Sequence, residues 1–170
     1  DVGYAIKEHV PRSWRRGVEL AASWKPLSWL QLDGNMTLST NKIKAYTAYY
    51  EMYDNMNDWN FLGQHTVDFV GTDILMSPSI VGMASATFRP FVHNPGSLSS
   101  LYLSLNGKYV GRQYYDNTSS DERAIPAYFV ADMAVGYSVP LGRSLGFARD
   151  DSAKSSSLNF SFHIHNLFNH

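Results

Sequence analysis

Residues 158 to 165, Leu158-Asn159-Phe160-Ser161-Phe162-His163-Ile164-His165, alternate strictly between apolar and polar side chains. Every even position carries leucine, isoleucine or phenylalanine, and every odd position carries asparagine, serine or histidine. Because successive side chains of a β-strand point to opposite faces of its sheet, this period of two predicts a strand with one apolar face and one wet face.

Five further segments show the same alternation, at residues 14–24, 30–39, 80–89, 101–112 and 127–139. Arg16 is an exception, since it stands on the apolar side of the first segment near one end. No segment shows a comparable helical periodicity. The sequence therefore predicts an all-β fold of about six antiparallel strands that run up and down.

The predicted connections between these strands alternate in length. Residues 25–27 and 91–97 read as tight turns, whereas residues 41–78 and 116–126 form long connections. In an antiparallel sheet this alternation places the long loops at one end and the short turns at the other. Residues 141–156 are longer than expected for the short end, and we interpret them as a disordered turn insertion.

Composition excludes several classes of protein. The chain has 170 residues with 14 Lys+Arg, 15 Asp+Glu and a net charge of −1, so it lacks the basic surface of a nucleic-acid binder. It has no cysteine, which excludes a disulfide framework, a thiolate metal site and a Cys nucleophile. No apolar run approaches the roughly 18 residues that a membrane-spanning helix needs.

Alternation alone does not say whether the apolar face packs in a soluble sandwich or faces lipid in a membrane barrel. Three features favour an outer-membrane barrel: strands of about 10 residues, aromatic residues such as Trp14, Trp24 and Trp29 near strand ends, and the loop asymmetry. About eight strands are needed to close such a barrel. Six strands therefore predict one part of a larger barrel.

Four stretches of the chain, in order, resemble the late barrel of TonB-dependent outer-membrane receptors. Together they cover nearly the whole chain. They are Ser13-Trp14-Arg15-Arg16-Gly17-Val18-Glu19-Leu20 with Trp24-Lys25-Pro26, then Leu75-Met76-Ser77-Pro78, then residues 109–118 with Ile125-Pro126-Ala127-Tyr128, and finally Ile164-His165-Asn166-Leu167-Phe168-Asn169.

The resemblance implies that residues 1–170 are a C-terminal segment of a transmembrane barrel of about 22 strands with a plugged lumen. The plug domain with its TonB box, the earlier strands and the final strand would lie outside this segment. The parent protein would be a receptor in the outer membrane of a Gram-negative bacterium. Its partners would be the TonB energy-transducing complex, outer-membrane lipid and a scarce nutrient, with a ferric siderophore as our principal expectation.

Two alternatives stay open at this point. Within the same family, the chain could belong to a glycan importer of the starch-utilisation type, which a surface lipoprotein caps. From another class, it could be a soluble β-sandwich that acts as a binding or adhesion module. We expect no catalytic residue, because the sequence has no nucleophile elbow, phosphate loop or local carboxylate pair.

Candidate site residues fall into two groups, and we expect neither a cofactor nor a metal. Exposed aromatic residues of the first long loop can stack on a flat or sugar-like ligand, or they can pack the loop on itself. These residues are Tyr46, Tyr49, Tyr50, Tyr53, Trp59 and Phe61. Polar residues of the wet face would line the barrel lumen, and these are Asp33, Asn35, Lys108, Arg112, Asp132, His163 and His165.

Overall fold

The computed structural model describes residues 10, 12–54, 59–94, 96–140 and 157–168. In these ranges the backbone forms ten β-strands and two short 3-10 helices, with no α-helix. Across the same ranges, no helix is long and apolar enough to cross a membrane. The all-β prediction is confirmed.

Six long strands hydrogen-bond in one sheet, in which each strand lies beside the next of the six along the chain. The six predicted strands are therefore all present, and they follow one another in chain order apart from two hairpins inserted in the long connections. Their bounds are β1 Ser13–Leu27, β2 Leu30–Ile43, β5 Ile80–Phe88, β6 Tyr102–Val110, β9 Tyr128–Pro140 and β10 Ser157–Ile164.

The first predicted turn, at residues 25–27, is wrong in its position. β1 continues through Leu27, and the chain turns at Ser28 and Trp29. Pro26 is the last but one residue of β1, so its missing N–H group affects the hydrogen-bond ladder only at the end of the strand. The prediction therefore placed this turn about three residues too early in the chain.

The long connection at residues 41–78 contains more structure than the sequence predicted. β2 extends to Ile43, and a hairpin of β3 (Tyr46–Tyr53) and β4 (Phe61–Phe69) follows. Ile43, Ala48 and Phe69 form a small buried core at the base of this hairpin. The connection at 116–126 likewise carries β8 (Ala124–Ile125), which pairs with β7 (Gln113–Tyr114). The predicted turn insertion at 141–156 lies outside the described residues.

The chain divides into two compact units. The loop unit comprises the described residues within Asp1–Val18, Leu38–Ile80 and Gly111–Ala127, and it contains both hairpins. The sheet unit comprises those within Glu19–Thr37, Val81–Val110 and Tyr128–His170. In the sheet unit β5, β6, β9 and β10 pair antiparallel throughout.

Cross-strand pairs of the sheet unit confirm the predicted separation of faces. Leu105 lies opposite Ala86 and Met133, whereas the next residue, Asn106, lies opposite Ser85 and Asp132. Large apolar side chains of the first face are exposed, among them Leu105, Val135, Leu158, Phe160 and Phe162. A face of this kind needs an apolar environment that the described residues themselves do not supply.

Candidate ligand-binding site

The base of the β3–β4 hairpin is structural. Tyr46 stacks on Phe69 with ring centroids 5.9 Å apart, and these two residues lie opposite each other in the strand register. Tyr46 also packs against the buried core of Ile43, Ala48 and Phe69. Tyr46 is therefore a packing residue of the loop. This is the alternative to ligand contact that the sequence analysis left open for the six aromatic candidates.

Three other candidates meet at the tip of the hairpin. The ring of Tyr53 contacts Trp59 and Phe61 edge to face, at centroid distances of 5.8 and 5.9 Å. The Tyr53 hydroxyl donates a hydrogen bond to Glu51 at 2.8 Å, and this bond raises the pKa of Tyr53 above its ordinary value. Trp59 and Phe61 remain about 60% exposed, so the tip presents a supported aromatic surface to solvent.

Tyr49 and Tyr50 are neighbours in β3 and lie on opposite faces of the hairpin. Tyr49 lies opposite Thr66, and Tyr50 lies opposite His65. Both rings are more than half exposed. Tyr49 and Tyr50 therefore present aromatic surface on both sides of the hairpin.

The second loop, residues 115–123, is ordered by charge-assisted hydrogen bonds. Arg123 donates to Asp116 at 2.6 Å, and the hydroxyl of Thr118 donates to Asp116 at 2.6 Å. Partial burial acts to raise the pKa of Asp116, but these hydrogen bonds outweigh it and hold the pKa below the ordinary value. The hydrogen bond between Arg123 and Asp116 also raises the pKa of Arg123.

The two long loops are joined through Asp73. Its carboxylate pairs with Lys42 at 2.8 Å, and its backbone N–H donates to the hydroxyl of Ser119 at 2.7 Å. The backbone N–H of Leu75 donates to the side chain of Asn117 at 2.9 Å, and that of Met76 donates to the carbonyl of Tyr114 at 2.8 Å. The loops therefore form one ordered surface within the loop unit.

The sequence analysis missed Asp116, Arg123 and Asp73 as contributors to this surface. A signal for the turn was present, since Asp116 and Thr118 have the spacing at which an aspartate side chain caps the backbone two residues on. Asp116 does accept a hydrogen bond from the backbone N–H of Thr118 at 2.9 Å. The contact between Asp73 and Ser119 joins residues that are 46 positions apart, and no local sequence pattern predicts it.

The structure brings some of the wet-face candidates together and leaves others apart. Asp132 lies 3.5 Å from His165, whose ring stacks on His163 at 6.1 Å. Asp33 accepts a hydrogen bond from Ser23 at 2.6 Å, while Asn35 and Lys108 are exposed.

Arg112 lies two residues beyond the end of β6, so it is not part of the strand in which the sequence placed it. There its guanidinium pairs with Asp121 and lies 5.1 Å from the ring of Tyr114. Within the described ranges, no three histidine, aspartate or glutamate side chains cluster as a metal site would require.

An antiparallel sheet with one exposed apolar face, one polar face and two elaborate loop connections is the architecture of a transmembrane β-barrel wall. The family described as TonB dependent receptor-like, beta-barrel matches the chain over residues 5–167, and the chain belongs to this family. A search of curated proteins found no match.

Barrel domains of this family are outer-membrane proteins of Gram-negative bacteria. They serve nutrient import and act with TonB and a ligand, as transporters and not as enzymes. The soluble β-sandwich alternative is incompatible with this membership, and we discard it.

Proposed function

We propose that this chain forms part of the barrel wall and the ligand-binding loops of a receptor that imports a ferric siderophore. The single observation that carries the ligand class is that the loop unit exposes both the aromatic ring of Tyr50 and the guanidinium of Arg123. A ferric siderophore with aromatic ligand groups presents flat rings and a net negative charge. An exposed aromatic ring provides stacking to such a ligand, and an exposed guanidinium provides charge complementarity.

The tip cluster supplies the second contact in this proposal. Tyr53 supports Trp59 and Phe61 from one side, so their exposed faces lose little side-chain entropy when they contact a ligand. The hydrogen bond from the Asp73 N–H to the Ser119 hydroxyl holds the second loop beside the segment that follows β4. We therefore assign Tyr50, Trp59, Phe61 and Arg123 to ligand contact, and Tyr46 and Tyr53 to support of the loop.

The same proposal gives the sheet its orientation. The apolar face lies against lipid, and the polar face lines the lumen of a larger barrel whose remaining strands and plug lie outside residues 1–170. Lumen-facing residues are Asp33, Asn35, Lys108, Asp132, His163 and His165. The main support is the exposed row of large apolar side chains along one face of the sheet.

The test uses the purified full-length protein that contains these residues, with tryptophan fluorescence as the readout. The probes are a ferric catecholate, a ferric hydroxamate, haem, cobalamin and a maltooligosaccharide. We expect saturable quenching by a ferric siderophore, weakened about tenfold or more in Tyr50→Ala and Arg123→Gln. Tyr49→Ala, on the other face of the hairpin, is the matched control and should bind normally.

The glycan importer is the second candidate, because the exposed faces of Trp59 and Phe61 also suit the apolar faces of sugar rings. An uncharged oligosaccharide would depend on Trp59 and not on Arg123. Binding of the maltooligosaccharide alone, lost in Trp59→Ala and intact in Arg123→Gln, would therefore reject the siderophore and support the glycan. Quenching by none of the five probes would reject both ligand classes.

A further inference from the structure

Cations occupy the apolar side of β1 near its first residue. The side chain of Arg16 alternates in phase with Trp14, Val18 and Leu20, which are exposed apolar residues. Its guanidinium lies 4.6 Å from the centroid of the Trp14 ring. Arginine on this face is unusual, because a charge there costs energy unless it meets a polar or charged group.

The neighbouring strand adds further cations at the same level. The backbone N–H of Lys44 donates to the carbonyl of Arg12 at 2.7 Å, and Gly17 approaches Ser39. Continued along the two strands, this pairing places Arg12 beside Lys44, Trp14 beside Lys42 and Arg16 beside Thr40. Arg12, Arg16, Lys42 and Lys44 thus form a basic patch on one side of the β1–β2 pair.

Only one member of this basic patch has an acidic partner in the described part of the chain. Lys42 pairs with Asp73, whereas no carboxylate of the described residues lies within ion-pair distance of Arg12, Arg16 or Lys44. All three unpaired cations are exposed. Among the described residues, the patch therefore carries an excess of positive charge.

The other side of the same strands is already covered. Asn41 and Ile43 alternate onto the side away from the basic patch. Ile43, 1% exposed, packs in the core at the base of the β3–β4 hairpin, and Asn41, 8% exposed, hydrogen-bonds with Ser39 and Ile74. Arg16 and Thr40 line a shallow cleft of about 500 Å³, together with the apolar residues Val18, Leu38 and Ile80 and with Gly17, Ser39 and Ser79. The lining of this cleft thus combines apolar side chains with one cation, Arg16.

We propose that this patch binds a phosphate-bearing lipid headgroup. Guanidinium groups match phosphate geometry with paired N–H donors, and the apolar side chains that line the cleft suit the first part of an acyl chain. Trp14 fits the interfacial level, where aromatic rings anchor membrane barrels. The inference rests on the orientation in the proposed function, in which the apolar face of β1 lies against lipid and the long loops lie outside the membrane.

The test compares lipid retention by native mass spectrometry of the full-length protein. The probes are a diphosphorylated glycolipid, its dephosphorylated form and inorganic phosphate. We expect retention of the phosphorylated lipid to fall about fivefold for each cation removed in Arg16→Gln and in the double variant Arg12→Gln with Arg16→Gln. Arg15→Gln, one residue away on the opposite face, is the matched control and should retain the lipid normally.

Equal retention of the phosphorylated and dephosphorylated lipids would overturn the inference, and so would unchanged retention in the double variant. Inorganic phosphate that competes as well as the lipid would show an anion site without lipid specificity, which also overturns it. A loss of retention in Arg15→Gln but not in Arg16→Gln would instead reject the orientation of the sheet. Siderophore binding, measured on the same variants, is independent of the patch and separates failure here from failure of the proposed ligand.

Discussion

The carboxylate of Asp132, in β9, accepts a hydrogen bond from the backbone N–H of Asn166 at 2.9 Å. Asn166 adopts a left-handed backbone with φ of 54°, and the next N–H, that of Leu167, donates to the carbonyl of Ala131 at 2.7 Å. These two bonds hold the chain after β10 against β9. In the sequence, the Asn-Leu-Phe segment is recognised only by its resemblance to the family. In the structure, it forms the turn that ends β10.

We expect Asp132→Ala to lower the free energy of unfolding by about 1 kcal/mol. The variant leaves the Asn166 N–H without its charged acceptor, and the effect lies below the usual range for charged groups because Asp132 is 39% exposed. Asp132→Asn keeps an acceptor oxygen and should recover most of the loss. Urea unfolding of the full-length protein in detergent measures both, and an equal loss in the two variants would contradict the role of this acceptor.

Gly17→Ala should destabilise the β1–β2 pair by about 1–3 kcal/mol. A Cβ atom at Gly17 would lie 2.6 Å from the carbonyl oxygen of Leu38 and 3.0 Å from the Cβ of Ser39. Backbone atoms cannot move aside as a flexible side chain can, so the two strands would have to separate.

Gly34→Ala is the control for Gly17→Ala. A Cβ atom at Gly34 would lie 3.6 Å from the nearest atom, the carbonyl oxygen of Met83, which is an ordinary contact. We expect this variant to be neutral or slightly stabilising, since alanine also restricts the unfolded chain. Equal destabilisation by the two substitutions, in the same urea titration, would reject close approach as the cause.

The second long loop should lose its order in acid. The pKa of Asp116 is lowered in the folded protein, so its ionised form stabilises the loop. This contribution is present in full above the ordinary carboxyl pKa of about 3.8, and it is lost as the pH falls through the lowered pKa of the folded state. Hydrogen exchange of residues 115–123 as a function of pH measures the effect.

Asp116→Asn is the matched variant for the acid experiment. It should increase hydrogen exchange of the loop at neutral pH and remove the part of the pH dependence that belongs to this carboxyl. A loop that opens at the same pH in both proteins would show that another group controls it.

The strands were predictable because each carries its own pattern. Residues 158–165 separate their faces completely, and the structure forms β10 within one residue of that segment. The β3–β4 hairpin was not predictable in the same way, since Tyr49 and Tyr50 put aromatic rings on both faces and leave no period of two. Its fold depends on burial of Ile43, Ala48 and Phe69, which the sequence does not bring together locally.

The candidate site was only partly predictable for a similar reason. Aromatic residues were visible as a cluster in the sequence, but their division into support and exposed contact depends on cross-strand register. Arg123 is held by Asp116, and it joins Tyr50, which lies more than 70 positions earlier in the chain, only in the folded loop unit. Arg16 stood out in the sequence as an exception, and only the register with β2 shows that other cations surround it.

The orientation of the sheet in the membrane is the central claim, and a charge placed on each face of β6 tests it most directly. Leu105→Arg puts a charge at mid-strand on the apolar face, whereas Asn106→Arg puts it on the polar face one residue away. The measurement is the free energy of unfolding of the full-length protein in lipid bilayers. We predict a loss of about 2–4 kcal/mol for Leu105→Arg and a much smaller loss for Asn106→Arg. Equal losses, or a larger loss for Asn106→Arg, would contradict the account.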